Sequence, residues 1–162
     1  MPEIILPIVF FISLAVINIK NKELQYARSA RIAMATMLLF TGSAHFYFDQ
    51  GMAMMLPDFV PHRIFVVYVT GFLEILAAVG MLLSKYQRLT GWVVILFFIA
   101  ILPSNIYSAI RQVDMDTATY NGQGLSYLWY RIPLQLFFIS WVYISCVNQN
   151  LINLNLTKIF SR

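Results

Sequence analysis

Cysteine occurs once in this chain, at Cys146, and histidine twice, at His45 and His62. One cysteine cannot close an intrachain disulfide, and it leaves no Cys-x-x-Cys pair for thiol relay or zinc. Two histidines without an acidic cluster give no protein-only metal site, so no metal is expected. Charge is scarce as well: 11% of residues are charged, against about 25% in an ordinary soluble domain. The balance is basic, a net +4. The basic residues flank apolar segments and form no patch of their own, which argues against a nucleic-acid partner. No period-2 alternation marks a β-barrel. No internal repeat or second domain is visible, so residues 1–162 read as a single membrane domain.

Hydrocarbon fills the chain instead. Hydrophobic residues make up 60% of it, more than one core can bury, so lipid must be the solvent for much of the surface. Five apolar runs cover about residues 4–19, 30–48, 64–83, 89–110 and 125–147. Each of the last four is about 20 residues long, enough to cross a bilayer as a helix. The first is preceded by Glu3 rather than a basic segment and followed by Lys20 and Lys22. It therefore reads as an uncleaved span, not a signal peptide. The expected fold is an all-α, polytopic membrane helical bundle. Four spans, with the first run lying in the interface, is the competing count.

Charge placement orients the bundle. Lys20, Lys22, Arg28, Arg31, Lys85, Arg88, Lys158 and Arg162 fall on one side of the five-span arrangement. Arg63, Arg111 and Arg131 fall on or toward the other, with Glu3, Asp49, Asp58, Asp114 and Asp116. By the positive-inside rule the first side is cytoplasmic, the N-terminus outside and the C-terminus inside. A bacterial cytoplasmic (inner) membrane is the expected location. Residues 148–162 would form a cytoplasmic tail with a short interfacial helix. Pro57 and Pro61 predict a stiffened turn between residues 49 and 63. The polar, glycine-containing stretch 112–124 is expected to be the most mobile segment.

His45, Glu74, Asn105 and Arg131 interrupt the apolar runs at hydrocarbon depth. Each costs several kcal/mol in lipid unless it is paired or lines a wet cavity. At a helical rise of about 1.5 Å per residue, His45, Asn105 and Arg131 fall in the outer half of the membrane and Glu74 near the midplane. Gln135 lies one turn from Arg131 on the same face. Glu74 shares its face with Thr70, Gly71 and Ala78, small residues that let another helix approach. Arg131 is its expected partner, through a two-pronged pair. Such a pair serves either a site or a structural clamp that fixes helix register.

His45 shares its face with Thr41 and Gly42. It reads as a histidine bonded to a backbone carbonyl, or as a proton donor, acceptor or ligand contact at the mouth of a site. Pro103 and Pro133 cannot donate to the carbonyls of Ile99 and Trp129 and are expected to kink their helices. Met52, Met54 and Met55 near the mouth read as loop packing or a soft lid, and Cys146 as a small buried apolar residue. The candidate ligand-binding residues are thus His45, Glu74, Asn105, Arg131 and Gln135, and the catalytic candidates are His45 and Glu74.

Gly42-Ser43-Ala44-His45-Phe46, the Met55-Leu56-Pro57 and Pro61 turn, Thr70-Gly71-Phe72-Leu73-Glu74, Leu102-Pro103-Ser104-Asn105 and Arg131-Ile132-Pro133-Leu134-Gln135 occur in that order. Together they resemble the DoxX family of small membrane proteins, over about residues 30–143. The resemblance implies a four-helix core, with the first run as an additional N-terminal transmembrane helix. It also implies a link to quinone-dependent oxidation, which makes a quinone the candidate cofactor, but no assigned reaction. Three functions stand. One is an outward-facing, polar-centred pocket for a small lipophilic ligand. The second is a quinone-linked oxidoreductase component. The third is an assembly or interaction protein, joined to a membrane partner or to its own copies, whose polar core is structural. The sequence leaves open whether the chain is an enzyme.

Overall fold

The computed structural model describes residues 4–21 and 25–148. The expected cytoplasmic tail and the charges Glu3, Lys22, Lys158 and Arg162 lie outside the described residues, Asn148 apart. The described residues form α1 (Ile5–Asn21), α2 (Tyr26–Tyr47), α3 (Asp49–Met54), α4 (Arg63–Leu82), α5 (Gln87–Ile110) and α6 (Ser126–Val142). A π-helical turn, Tyr143–Val147, continues α6. No strand occurs among the described residues, only an isolated bridge between Asp114 and Thr119.

Among the described residues, three helices are long and apolar enough to cross a membrane: α4, α5, and α6 together with its π-helical turn. At most 33% of the most apolar stretch of each is buried inside the protein. Phe65, Leu89, Leu96 and Leu136 all point outward. A helix that is apolar all round yet covered on only one side needs an apolar solvent, and lipid supplies it. The chain is therefore read as an integral membrane protein. The sequence predicts five spans. The first run forms a shorter apolar helix, α1, of 17 residues.

The second run forms α2, which has 22 residues but carries Arg28, Arg31 and His45. Its position explains its composition. Ser29, Ala30, Ala33, Met34, Ala35, Met37, Leu38 and Gly42 are all buried, because α2 packs against α1 and α4 and touches α6 and its π-helical turn. A helix shielded by protein need not be apolar all round.

Neighbouring helices pack around a ring, α2 on α4, α4 on α5, α5 on α6, and α6 and its turn back on α2. The α1 helix lies against α2, with Phe10 edge-on to Trp141 at 5.2 Å. The apolar core combines Met34, Leu38, Met81, Val94, Phe98 and Val142. The Trp141 indole donates to the Ala30 carbonyl at 3.0 Å. Arg31 donates to the Ser145 carbonyl at 3.0 Å. Both bonds tie the start of α2 to the end of the α6 segment. Pro103 and Pro133 sit inside α5 and α6, which run on through them.

The connections at the opposite end are built from polar contacts. In the turn with Pro57 and Pro61, Val60 donates to the Pro57 carbonyl at 3.0 Å; the turn is preceded by α3, which the sequence reading lacks. Asp58 accepts from Arg63 at 2.6 Å, from Arg111 at 2.8 Å and from the Tyr107 hydroxyl at 3.0 Å. The Arg63 hydrogen bond, then that of Tyr107, holds the exposed Asp58 carboxyl below its ordinary value.

The expectation that 112–124 is the most mobile stretch meets a closely bonded loop. Asp114 and Thr119 exchange backbone bonds, and Gly122 donates to the Gln112 carbonyl. The Asp114 carboxylate accepts from the amides of Asp116 and Thr117. Gly51 of α3 packs directly on the Met115 backbone, where a side chain would collide. Glycine and aspartate therefore shape this loop.

Candidate functional site

Two glycines set the site. Gly42 of α2 and Gly71 of α4 lie in direct backbone contact: a Cβ on Gly42 would sit 2.9 Å from the Gly71 carbonyl oxygen. A Cβ on Gly71 would sit 2.6 Å from the Cβ of His45. This approach lays the Thr41–His45 turn across Glu74. The Thr41 hydroxyl meets Glu74 Oε2 at 2.5 Å. His45 Nδ1 lies 2.9 Å from the Thr41 carbonyl. That oxygen can only accept, so Nδ1 carries the hydrogen. Nε2 is then the nitrogen that faces Glu74 Oε1, 3.9 Å away. His45 is thus both carbonyl-bonded and turned toward the carboxylate.

The expected Glu74–Arg131 clamp is corrected. Glu74 is engaged by Thr41 and His45, and no Glu74–Arg131 ion pair occurs among the described residues. The ring explains this: α4 packs between α2 and α5, while Arg131 stands on α6.

Helix register places the remaining residues. On antiparallel α5 and α6, Gln135 Nε2 donates to the Phe98 carbonyl, and Gly91 packs against Cys146. Continued along antiparallel α5 and α6, these two contacts set Asn105 level with residues 128–132 of α6, which include Arg131. Between α2 and α6, the Ala30–Trp141 bond sets Arg131 near the level of Thr41. Thr41, Glu74, Asn105 and Arg131 therefore occupy one layer of the ring, with His45 about one turn to one side and Gln135 about one turn to the other.

Only part of this layer is internally bonded. Asn105 Nδ2, Arg131 Nε and Gln135 Oε1 are buried and have no hydrogen-bond partner among the described residues. Asn105 is 4% exposed and Gln135 6%. A buried polar atom left unpaired costs about 1–3 kcal/mol. Three on adjacent turns of two neighbouring helices mark a place where something else can bond.

An open groove of about 480 Å³ lies elsewhere, lined by Ala53, Met54, His62, Arg63, Ile64 and Phe65. None of the five sequence candidates lines it. Met54 does, and His62 enters α4 from a left-handed conformation, φ 48°. Thr41 is the residue that sequence reasoning left out of the site. Its signal was present: it precedes Gly42 and lies one turn from His45 on the same face.

Fold and site define a helical membrane bundle with a polar layer on one side of an apolar core. A family model described as a domain of unknown function, DUF8561, matches residues 34–146. That is most of the chain, and the chain belongs to this family. The matched segment begins inside α2, ends in the π-helical turn and includes every residue of the polar layer. No curated protein and no solved structure matches the chain.

Proposed function

We propose that this chain is a DoxX-like integral membrane protein with a four-helix core of α2, α4, α5 and α6 and one N-terminal transmembrane helix. Its polar layer binds a small lipophilic ligand on the side of the bundle facing out of the cell. The observation that carries this reading is the set of unpaired atoms on Asn105, Arg131 and Gln135. Apolar surroundings with a few convergent polar groups are what such a ligand needs. The orientation rests on the basic residues Lys20, Arg28, Arg31, Lys85 and Arg88, which flank the ends of the helices opposite α3.

A second reading, a structural polar core in an assembly protein, draws support from Thr41–Glu74 and Gln135–Phe98, which link helices without any ligand. Mass spectrometry of molecules retained after mild detergent purification separates the two. A lipophile held in stoichiometric amount supports the ligand reading, and a quinone in that place makes it a redox component. Purified protein that retains no lipophile and is not stabilised by added lipid extract leaves the structural reading.

A further inference from the structure

Resting on the ligand reading above, we infer that the head of the ligand is an uncharged hydroxyl, held between α5 and α6 by Asn105, Arg131 and Gln135. The unpaired atoms are two N–H donors, Asn105 Nδ2 and Arg131 Nε, and one carbonyl acceptor, Gln135 Oε1. A hydroxyl has two lone pairs and one hydrogen, and so answers all three. Its oxygen accepts from Asn105 and Arg131, and its hydrogen goes to Gln135.

Other heads fail on valence. An ammonium brings only donors and leaves both N–H groups unserved. A carboxylate or a ketone only accepts, and leaves Gln135 Oε1 unserved. The tail then follows the seam between α5 and α6, where Ile101 and Leu134 are only partly covered. Water has suitable valences but no tail, so chain-dependent binding separates it from a lipid. A lipid alcohol and a quinol are two sources of the same head.

The test is competition for tritiated hexadecanol on the full-length protein in mild detergent, against unlabelled hexadecanol, palmitate, hexadecylamine and a quinol–quinone pair. Saturable binding is expected, with hexadecanol or the quinol displacing the label at least about tenfold better than the acid, amine or quinone. Asn105→Leu should weaken hexadecanol binding about fivefold, the worth of one hydrogen bond. Its thermal unfolding should hold or improve, because Nδ2 has no protein partner to lose. Arg131→Lys, which keeps the charge and removes Nε, should weaken binding as well. Palmitate, amine or quinone displacing best overturns the hydroxyl assignment and leaves a lipophilic site standing. Saturable binding that Asn105→Leu and Arg131→Lys leave unchanged in folded protein overturns the placement between α5 and α6. No saturable binding of any probe overturns both the hydroxyl head and the ligand reading.

Discussion

In the half of the bundle nearer the π-helical turn, the buried side chains include Met34, Leu38, Met81, Val94, Phe98 and Val142. In the half nearer α3 the buried residues include Gly42, Gly71, Glu74, Asn105, Ser108 and Ala109. Large apolar groups run through the first, among small ones such as Ser29, Ala33 and Ser145, while the second has few large apolar groups and more polar ones. The difference is instructive because lipid is as apolar as leucine. Moving a side chain from lipid to protein brings little hydrophobic gain, so close packing and interhelical hydrogen bonds must hold the helices. The apolar half relies mainly on packing, with the Trp141–Ala30 and Arg31–Ser145 bonds at its end. The polar half uses two glycines to bring backbones together and a threonine–carboxylate contact to fasten them, and it leaves three polar atoms over.

The largest expected effect falls in the apolar half. Leu38 is 1% exposed at the centre of the core. Leu38→Ala should lower stability by about 2–5 kcal/mol, since the packed neighbours close only partly around the cavity. Reversible unfolding in mixed micelles reads this directly. A loss as small as that of an exposed residue such as Leu96→Ala would mean that this half is not held by packing.

Next is Gly71→Ala. The added Cβ meets the His45 Cβ at 2.6 Å, and no side-chain rotation moves a Cβ. The helices must part, at about 1–3 kcal/mol, and Thr41 must draw away from Glu74. The sharper measurement is a double-mutant cycle. Thr41→Val with Glu74→Gln should show coupling of about 1 kcal/mol or more, as touching residues do. Glu74→Gln with Arg131→Gln should show less, because the second pair is not in contact. The reverse order would restore the clamp between α4 and α6.

Much of the fold is legible in the sequence because lipid demands long apolar runs, and α4, α5 and α6 lie close to where those runs fall. The helix least like its run is α2. It begins at Tyr26 rather than near Ala30, because Arg28 and Arg31 interrupt the hydropathy while remaining helical against protein. The short helix α3 and the π-helical turn carry no run of their own and were not readable.

The site was half legible. Depth alone selects Glu74, Asn105 and Arg131, and the register of the structure sets them in one layer. Depth does not say which helices are neighbours in the ring. For that reason it paired Glu74 with the charge opposite in sign and missed the hydroxyl of Thr41, which the Gly42–Gly71 approach delivers. Nor does composition show the backbone bonds that Gly122 and Asp114 make within 112–124.

The smallest expected effect concerns whether exposed polar links help hold the polar half together. Asp58 joins the α3–α4 turn to the end of α5 through Arg63, Arg111 and Tyr107, all in contact with solvent. Its carboxyl is held below the ordinary value, first by Arg63 and then by Tyr107. A carboxyl depressed by folding contributes stability that is fully present above its unfolded value, about 4, and is lost as pH falls through the lower folded value. From pH 8 to pH 5 this contribution should therefore be flat. Asp58→Asn should lower the melting temperature slightly and by a constant amount across that range. The gap between variant and wild type should narrow below about pH 4 as the wild-type carboxyl itself takes up a proton. Added salt should narrow it at neutral pH too, since exposed pairs are screened. Melting curves of the two proteins in one detergent, across pH and salt, check both. A gap that instead grows toward acid would show that Asp58 is not the carboxylate holding this end of the bundle.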